Sequence, residues 1–463
     1  MWGLGASRRK AQFRVTVLGA GKTGLAVARF FASQGARVFL SDRSSLSLAC
    51  KRELARLGVE HEEGGHSERA LRADLIVPSP GIPYDAPILK EARLQGVPVI
   101  GEIELAYRLC PSSKIVAVTG TVGKTTTTHL IAELLRAEGH PVVLAGNGGE
   151  PFIAQLPRIR PETVVVLEVS SYQLEHVETF RPHVGVFTRF APHHIERHGS
   201  LERYFAIKCR LFEHQREGDS AVVQHEIPLP DVPSRVVPFR AEDLEAESFG
   251  HSLSLTLPPH LREDLAGALA AARLFDPTLT PSGGVVTRAL RLPHRLEFVA
   301  EVHGVKFYND SKATSFAATV AALDAFSHPR HRPLALLLGG QDEGLDPEPL
   351  ARAVVEHDVE QVYLLGETQG RWAEALSRRG YSRLCLVGSI EDALAEVCVK
   401  RPRPRTCLFS PGAPSFDQFS NYEERGERFR RAVRALAGAR PRRPRPRRRT
   451  PITPRSDQPV VRP

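Results

Sequence analysis

Short β-branched runs that end in a glycine- or acid-bearing loop and lead into helical apolar spacing recur along most of the chain. Residues 14–18 read as a strand, 25–34 as a helix, 37–40 as a second strand and 73–77 as a third. After Pro111-Ser112-Ser113 the alternation resumes with a strand over 115–119 and helical spacing over 129–135. Strands follow at 141–144, 163–167 and 183–188. The 163–167 run is almost wholly apolar, as strands buried on both faces of a parallel sheet are. Residues 218–257 are strand-like and broken by prolines, and 261–274 are Ala-rich and helical. Strands at 333–338, 361–365, 383–387 and 406–409 are again separated by helical segments. The pattern predicts an α/β chain of three doubly wound units, residues 1–107, 108–291 and 292–437. A length of 463 residues with 42% apolar content fits about three domains of ~150 residues.

The loops at the strand ends carry the chemistry. Gly19-Ala20-Gly21-Lys22-Thr23-Gly24 is a complete G-x-G-x-x-G, with Ser41-Asp42 at the end of the next strand. Such a turn holds a dinucleotide or any nucleotide diphosphate at a helix N-terminus. Lys114 to Thr128, KIVAVTGTVGKTTTT, is a second strand–loop–helix. Gly120 and Gly123 let the backbone turn its N–H groups inward, Lys124 can reach terminal phosphates, and Thr125 can ligate Mg²⁺. The general G-x-x-x-x-G-K-[ST] pattern wants glycine where this chain has Val118. Glu168 ends the 163–167 strand in line with this loop, either as a metal ligand or as a cap for the Ser170-Ser171 turn. His193, His194 and His198 fall within six residues. No cysteine partner accompanies them, so a single functional histidine is the more economical reading than zinc.

Charge alters the picture only at the end of the chain. Residues 438–463 hold nine Arg and one Asp, so +8 of the formal +9 lies there and the remainder is close to neutral. So Pro/Arg-rich a segment has too little apolar content to fold and predicts disorder, with no specific nucleic-acid role. Cys50, Cys110, Cys209, Cys385, Cys398 and Cys407 are scattered without a C-x-x-C pair, which fits a reducing cytosol. Arg8-Arg9 is followed by no apolar leader, and no run of apolar residues is long enough to span a membrane.

Taken together, these motifs resemble the Mur ligases of peptidoglycan synthesis. The resemblance runs from about residue 14 to 436 and rests on the 120–126 loop, Glu168-Val169-Ser170-Ser171-Tyr172-Gln173-Leu174 and His194-Ile195-Glu196-Arg197-His198-Gly199 with Lys208. Further matches are Pro293-His294-Arg295, the 309–314 run, and Ser410-Pro411 through Ser415-Phe416-Asp417-Gln418-Phe419 to Arg425-Gly426. The Glu168 and Ser415 runs favour the branch that adds D-glutamate. The resemblance implies a cytoplasmic, monomeric ligase with a Rossmann-like first domain, an ATPase-like central domain and a Rossmann-like third. ATP would phosphorylate the alanyl carboxylate of UDP-N-acetylmuramoyl-L-alanine, and the D-glutamate amine would attack the acyl phosphate. Gly120, Thr121, Val122, Gly123, Lys124, Thr125, Thr126, Arg295 and Asp310 would bind ATP. Thr125 and Glu168 would hold one Mg²⁺; His194 and a carbamylated Lys208 would hold another. Asn147 would lie near the reacting carboxylate, and Lys312, Thr314, Ser415 and Tyr422 would contact D-glutamate and phosphate. Gly21, Lys22, Thr23, Asp42, Arg43, Ser79, Pro80 and Gly81 would hold uridine and diphosphate, which displaces a nicotinamide cofactor from the first glycine loop.

The chain departs from the family pattern at Val122 and Arg189 (Asn in the family), His193 (Asp), Glu343 (Lys) and the 263–267 segment (Asn-rich in the family). Glu343 replaces a cation expected near the D-glutamate carboxylates, which predicts repulsion unless a base such as Arg189 compensates. A Mur-like ligase for another amino acid, or a nucleotide-binding protein with reduced turnover, is the alternative. The third domain is expected to swing over ATP, because its proposed ligands lie far from Lys124 in the chain.

Overall fold

The computed structural model describes residues 13–244, 257–280, 282–290 and 292–438. The Arg-rich tail, Arg8-Arg9 and the end of the 218–257 stretch lie outside them. Three sheets organise the chain. The first contains β1 (Arg14–Leu18), β2 (Arg37–Asp42), β3 (Glu60–Glu63) and β4 (Leu75–Pro78), all parallel, in the order β3-β2-β1-β4. The second has β5 (Ile115–Thr119), β6 (Val142–Gly146), β7 (Val164–Glu168), β8 (Val184–Phe187), β9 (Ser220–Gln224) and β10 (Arg235–Phe239), in the order β10-β9-β8-β5-β7-β6. The third has β11 (Glu297–Val302), β12 (Val305–Asn309), β13 (Leu334–Gly339), β14 (Gln361–Leu365), β15 (Leu384–Leu386) and β16 (Thr406–Phe409), in the order β11-β12-β16-β13-β14-β15. Only the β11–β12 hairpin at its edge is antiparallel. The architecture is three-domain α/β.

The central sheet explains where the chemistry lies. Every residue of β5, β7 and β8 is buried, as expected for inner parallel strands covered by helices on both faces. The strand order reverses beside β5, and ligands of open α/β sheets bind at the carboxyl ends around such a switch. Register places Val118 beside Glu168 and Glu168 beside Gly146. The ends of β5, β6 and β7 are therefore level, and their loops meet at one edge.

Three elements differ from the sequence expectation. The helix Lys22–Ser33 starts inside the glycine loop, with Gly21 as its N-cap, because Gly21 O already accepts the first i, i+4 bond from Leu25 N at 3.0 Å. β3 is EHEE, which carries no apolar alternation; its acids instead bond Ser41, Ser67 and Lys51. The amphipathic helix Glu102–Leu109 runs across the expected boundary at Tyr107. It packs Glu102 and Glu104 inward, where Ile153 N and the Thr179 hydroxyl donate to them.

Candidate active site

The loop after β5 is shaped by two glycines in the left-handed region. Gly120 has φ +149° and Gly123, which caps the helix Lys124–Ala137, has φ +94°. A Cβ on Gly120 would stand 1.9 Å from Thr188 Oγ1, and one on Gly123 2.3 Å from Asp264 Oδ1. Val122 makes a bridge with Arg189, and Thr121 N donates to Arg189 O at 2.7 Å. Lys124 Nζ curls inward and donates to the carbonyls of Gly120 (2.9 Å) and Thr121 (3.0 Å). Burial lowers its pKa against the opposing pull of Glu168.

Glu168 is buried at the end of β7 and does not cap the following turn. Ser170 takes that role, accepting from Gln173 N while the Gln173 side chain accepts from Ser170 N. The Glu168 carboxylate instead accepts from the Thr125 hydroxyl at 2.6 Å and the Asn147 amide at 3.0 Å. Burial disfavours its charge, but Lys312, Lys124 and these two donors outweigh burial and hold its pKa below the ordinary value. The result is a pair of hard oxygen ligands at the phosphate loop, the donor set Mg²⁺ takes.

Lys208 lies on the helix Leu201–Cys209 and is fully buried. Its Nζ donates to Gly120 O at 2.7 Å and sits 4.7 Å from the centre of the Tyr204 ring. Burial, aided by Lys124, pushes its pKa well below that of a free lysine. Tyr204, one helical turn earlier, touches the loop through its hydroxyl, 3.2 Å from Thr121 Oγ1. Its i, i+4 spacing from Lys208 puts the two side chains on one helix face, but no sequence spacing signals the contact with Thr121.

His194 has φ 53° and caps the short helix Ile195–His198. Its Nδ1 lies 3.1 Å from the Tyr172 hydroxyl, 3.7 Å from Glu196 and 3.7 Å from Glu343. Burial opposes its protonation, but the two carboxylates outweigh burial and raise its pKa. Burial, with His194 and the nearby lysines, pushes the His193 pKa well below the ordinary value, and its Nδ1 lies 3.9 Å from Glu343. His198 stands one turn from His194 yet points elsewhere, its Nε2 3.0 Å from Ser171 Oγ and its Nδ1 3.1 Å from Glu175.

The third domain closes the cleft. Lys312 bonds the Tyr422 hydroxyl at 3.2 Å. Asp310 accepts from Ser410 and Leu296 N with Arg295 3.8 Å away, and burial raises its pKa to about 6. Arg425, fully buried, ties the Ser410–Ser415 turn to Ser311 through bonds to Ala413 O, Pro414 O, Ser311 O and Ser311 Oγ. Thr121 to Thr126, Asn147, Glu168, His194, Lys208, Arg295, Lys312, Thr314, Ser415 and Tyr422 line one cleft of about 440 Å³, together with Pro80. A larger hollow of about 800 Å³ opens at the other end of the central strands beside Tyr107, Lys114, His183 and Asp219, and carries none of the predicted site residues.

The remaining first-domain residues sit outside that cleft. Both Asp42 oxygens are used by backbone, accepting from Ala20 N (2.7 Å) and Ser44 N (2.8 Å). Lys22 donates to Gly149 O at 3.0 Å and pairs with Glu150. Gly21 and Arg43 are exposed, Thr23 is half-buried, and Ser79 Oγ donates to Gly19 O at 3.2 Å. Arg197 joins this domain to the centre. Its guanidinium donates to the carbonyls of Gly81 (2.8 Å), Ile82 (3.0 Å) and Pro80 (3.3 Å), pairs with Glu175 at 2.6 Å, and lies over the Tyr172 ring. Arg189 does not offset Glu343: it is held by Glu263 at 2.6 Å and His260 O, because the 263–267 departure supplies the acid beside it. The departures at 193 and 343 instead fall on one contact, where a histidine and a glutamate face each other.

Comparison with known proteins decides the family. The model of the Mur ligase MurD-like N-terminal domain matches residues 13–101, the Mur ligase middle domain 118–242, and the Mur ligase glutamate ligase domain 294–411. A UDP-N-acetylmuramoylalanine--D-glutamate ligase of Pelotomaculum thermopropionicum is 39% identical over 89% of this chain and 95% of its own. The chain belongs to the Mur ligase family. A ligase of the same description from Koribacter versatilis is 36% identical over 89% of this chain and 94% of its own. Among solved structures, the Thermotoga maritima MurF ligase in complex with ADP shares the fold with a TM-score of 0.56 at 14% identity, covering 92% of this chain and 99% of its own. The Thermotoga maritima UDP-N-acetylmuramate-alanine ligase MurC gives 0.54 at 18%, covering 92% and 100%. Among the described residues of this Mur ligase, no helix is long and apolar enough to cross a membrane.

Proposed function

We propose that the chain is an ATP-dependent ligase that joins D-glutamate to UDP-N-acetylmuramoyl-L-alanine in peptidoglycan precursor synthesis. The observation that carries this reading is the convergence of Lys124, Glu168, His194 and Lys208 from the central domain with Lys312 and Tyr422 from the third on one cleft. Relatives that bear this activity in their names match nearly the whole chain.

Lys124 and the glycine loop bind the triphosphate of ATP, the phosphoryl donor. The Thr125 hydroxyl and Glu168 carboxylate fit Mg²⁺, which when bound neutralises phosphate charge. Lys208 is buried, and burial favours its uncharged amine, the form that adds CO₂ and releases a proton to become a carbamate. That anion, with His194, fits a second Mg²⁺. Asn147 orients Glu168 and reaches toward the alanyl carboxylate. Lys312, with Thr314, Ser415 and Tyr422, receives the amino acid, and Arg295 and Asp310 serve the nucleotide. Pro80, with Ser79, Gly81 and the 21–23 turn, positions the uridine diphosphate; Asp42 serves by bracing Ala20 and Ser44, and Arg43 lies at the rim. Most of this chemistry is positioning and charge neutralisation.

The test is phosphate release from ATP with UDP-N-acetylmuramoyl-L-alanine, D-glutamate and Mg²⁺. Product dependent on all three substrates is expected; no release where a known ligase works would sink the reading. Glu343 at the cleft favours a second reading, a ligase with another amino acid, which substitution of amino acids in the same assay decides.

A further inference from the structure

The geometry points to a nitrogen-rich divalent-cation site formed by His193, His194 and Glu343, which joins the central domain to the third. One candidate ligand atom from each of these residues lies within 4.8 Å of the other two. The two Glu343 oxygens face different imidazoles, Oε1 3.7 Å from His194 Nδ1 and Oε2 3.9 Å from His193 Nδ1. Those gaps are too wide for hydrogen bonds. They match two donors each about 2.1 Å from a shared ion, which stand roughly 3–4 Å apart across it.

His193 supplies an independent observation. Its Nδ1 is buried and has no hydrogen-bond partner among the described residues, a costly state for a polar atom that no ligand completes. The two imidazoles also stack, with ring centroids 3.6 Å apart. The Glu343 side chain is only 14% exposed, so bulk water competes weakly for the carboxylate. Loading the site costs His194 its bond with the Tyr172 hydroxyl, and Glu196, 3.7 Å from the same nitrogen, offers a further oxygen.

Two imidazoles and a carboxylate suit Zn²⁺ or Co²⁺ better than Mg²⁺, which prefers oxygen donors. His193 and His194 follow β8, whereas Glu343 follows β13, so the ion pins the third domain against the central one. The site shares His194 with the proposed Mg²⁺ centre but needs neither nucleotide nor Lys208.

The experiment is titration of the full-length, nucleotide-free protein with Co²⁺, read by visible absorption and by competition with Zn²⁺. One equivalent with ligand-field bands, displaced by Zn²⁺, is expected. Glu343→Gln and His193→Asn should each bind about tenfold or more weakly, with circular dichroism confirming that both fold, and Lys208→Ala should bind as the parent does. A spectrum of aquated cobalt, unchanged affinity in both variants, or loss of binding in Lys208→Ala would overturn the site. Phosphate release by a protein that binds no Co²⁺ would refute this site and leave the ligase reading standing. Co²⁺ binding without phosphate release would do the reverse.

Discussion

The turn after β1 and the turn after β5 both run from a parallel strand through a glycine of positive φ into a helix, yet they handle charge in opposite ways. In the first, the acid ending the neighbouring strand, Asp42, folds back onto the backbone N–H groups of Ala20 and Ser44. The lysine of that turn, Lys22, reaches outward to the next domain. In the second, the neighbouring acid, Glu168, meets hydroxyl and amide side chains, and Lys124 turns inward. One backbone plan thus yields a braced scaffold in the first domain and a charge-handling centre in the second. The residue that ends the adjacent strand decides between them.

The largest expected effect concerns the carbonyl that Lys208 shares with Lys124. Lys208→Ala should abolish phosphate release, with partial rescue by small carboxylates such as acetate; full activity would remove Lys208 from the proposed metal centre. Next, Lys124→Ala should lower kcat by about 10²–10³-fold, whereas Lys22→Ala should raise only KM for the UDP-linked substrate, by less than about tenfold. Equal losses in kcat would break the contrast between the two turns. A smaller effect belongs to the join between them. Arg197→Lys cannot keep the forked contacts to Glu175 and three carbonyls, so KM for the UDP-linked substrate should rise about tenfold with kcat within about threefold. A change confined to kcat would show that Arg197 acts on the reacting groups instead.

The smallest effect is one of stability with pH at the same seam. Burial raises the Glu102 carboxyl from an ordinary 4.5 to about 7. The folded protein therefore keeps a proton that the unfolded chain has released, and stability falls as pH rises from about 4.5 to about 7, then levels. Glu102→Gln should lack that fall, so the parent should lose a few degrees of Tm relative to the variant between pH 5 and 8. Parallel curves would show that Glu102 is charged in the fold.

Local features were legible in the sequence because their cause is local. The apolar runs of β5 and β7, the Gly120 and Gly123 turn and the placement of Glu168 all follow from residues within a few positions. β3 escaped detection because its strand is made by charged side chains with partners of their own. Arg189 cannot offset Glu343 because its partner, Glu263, comes from a helix distant in the chain, which no local pattern reveals. The meeting of Glu343 with His193 and His194 depends on how two sheets face each other. No spacing along the chain encodes that distance.

Arg197 grips Pro80, Gly81 and Ile82 through their carbonyl oxygens alone, and every amino acid supplies that atom. Over evolutionary time the side chains of this loop can drift to suit the sugar nucleotide while the grip stays unchanged. Loss of the grip should therefore follow exchanges at Arg197 or at Glu175, which braces it, whereas exchanges at Pro80, Gly81 and Ile82 should act on the sugar nucleotide and leave the grip in place.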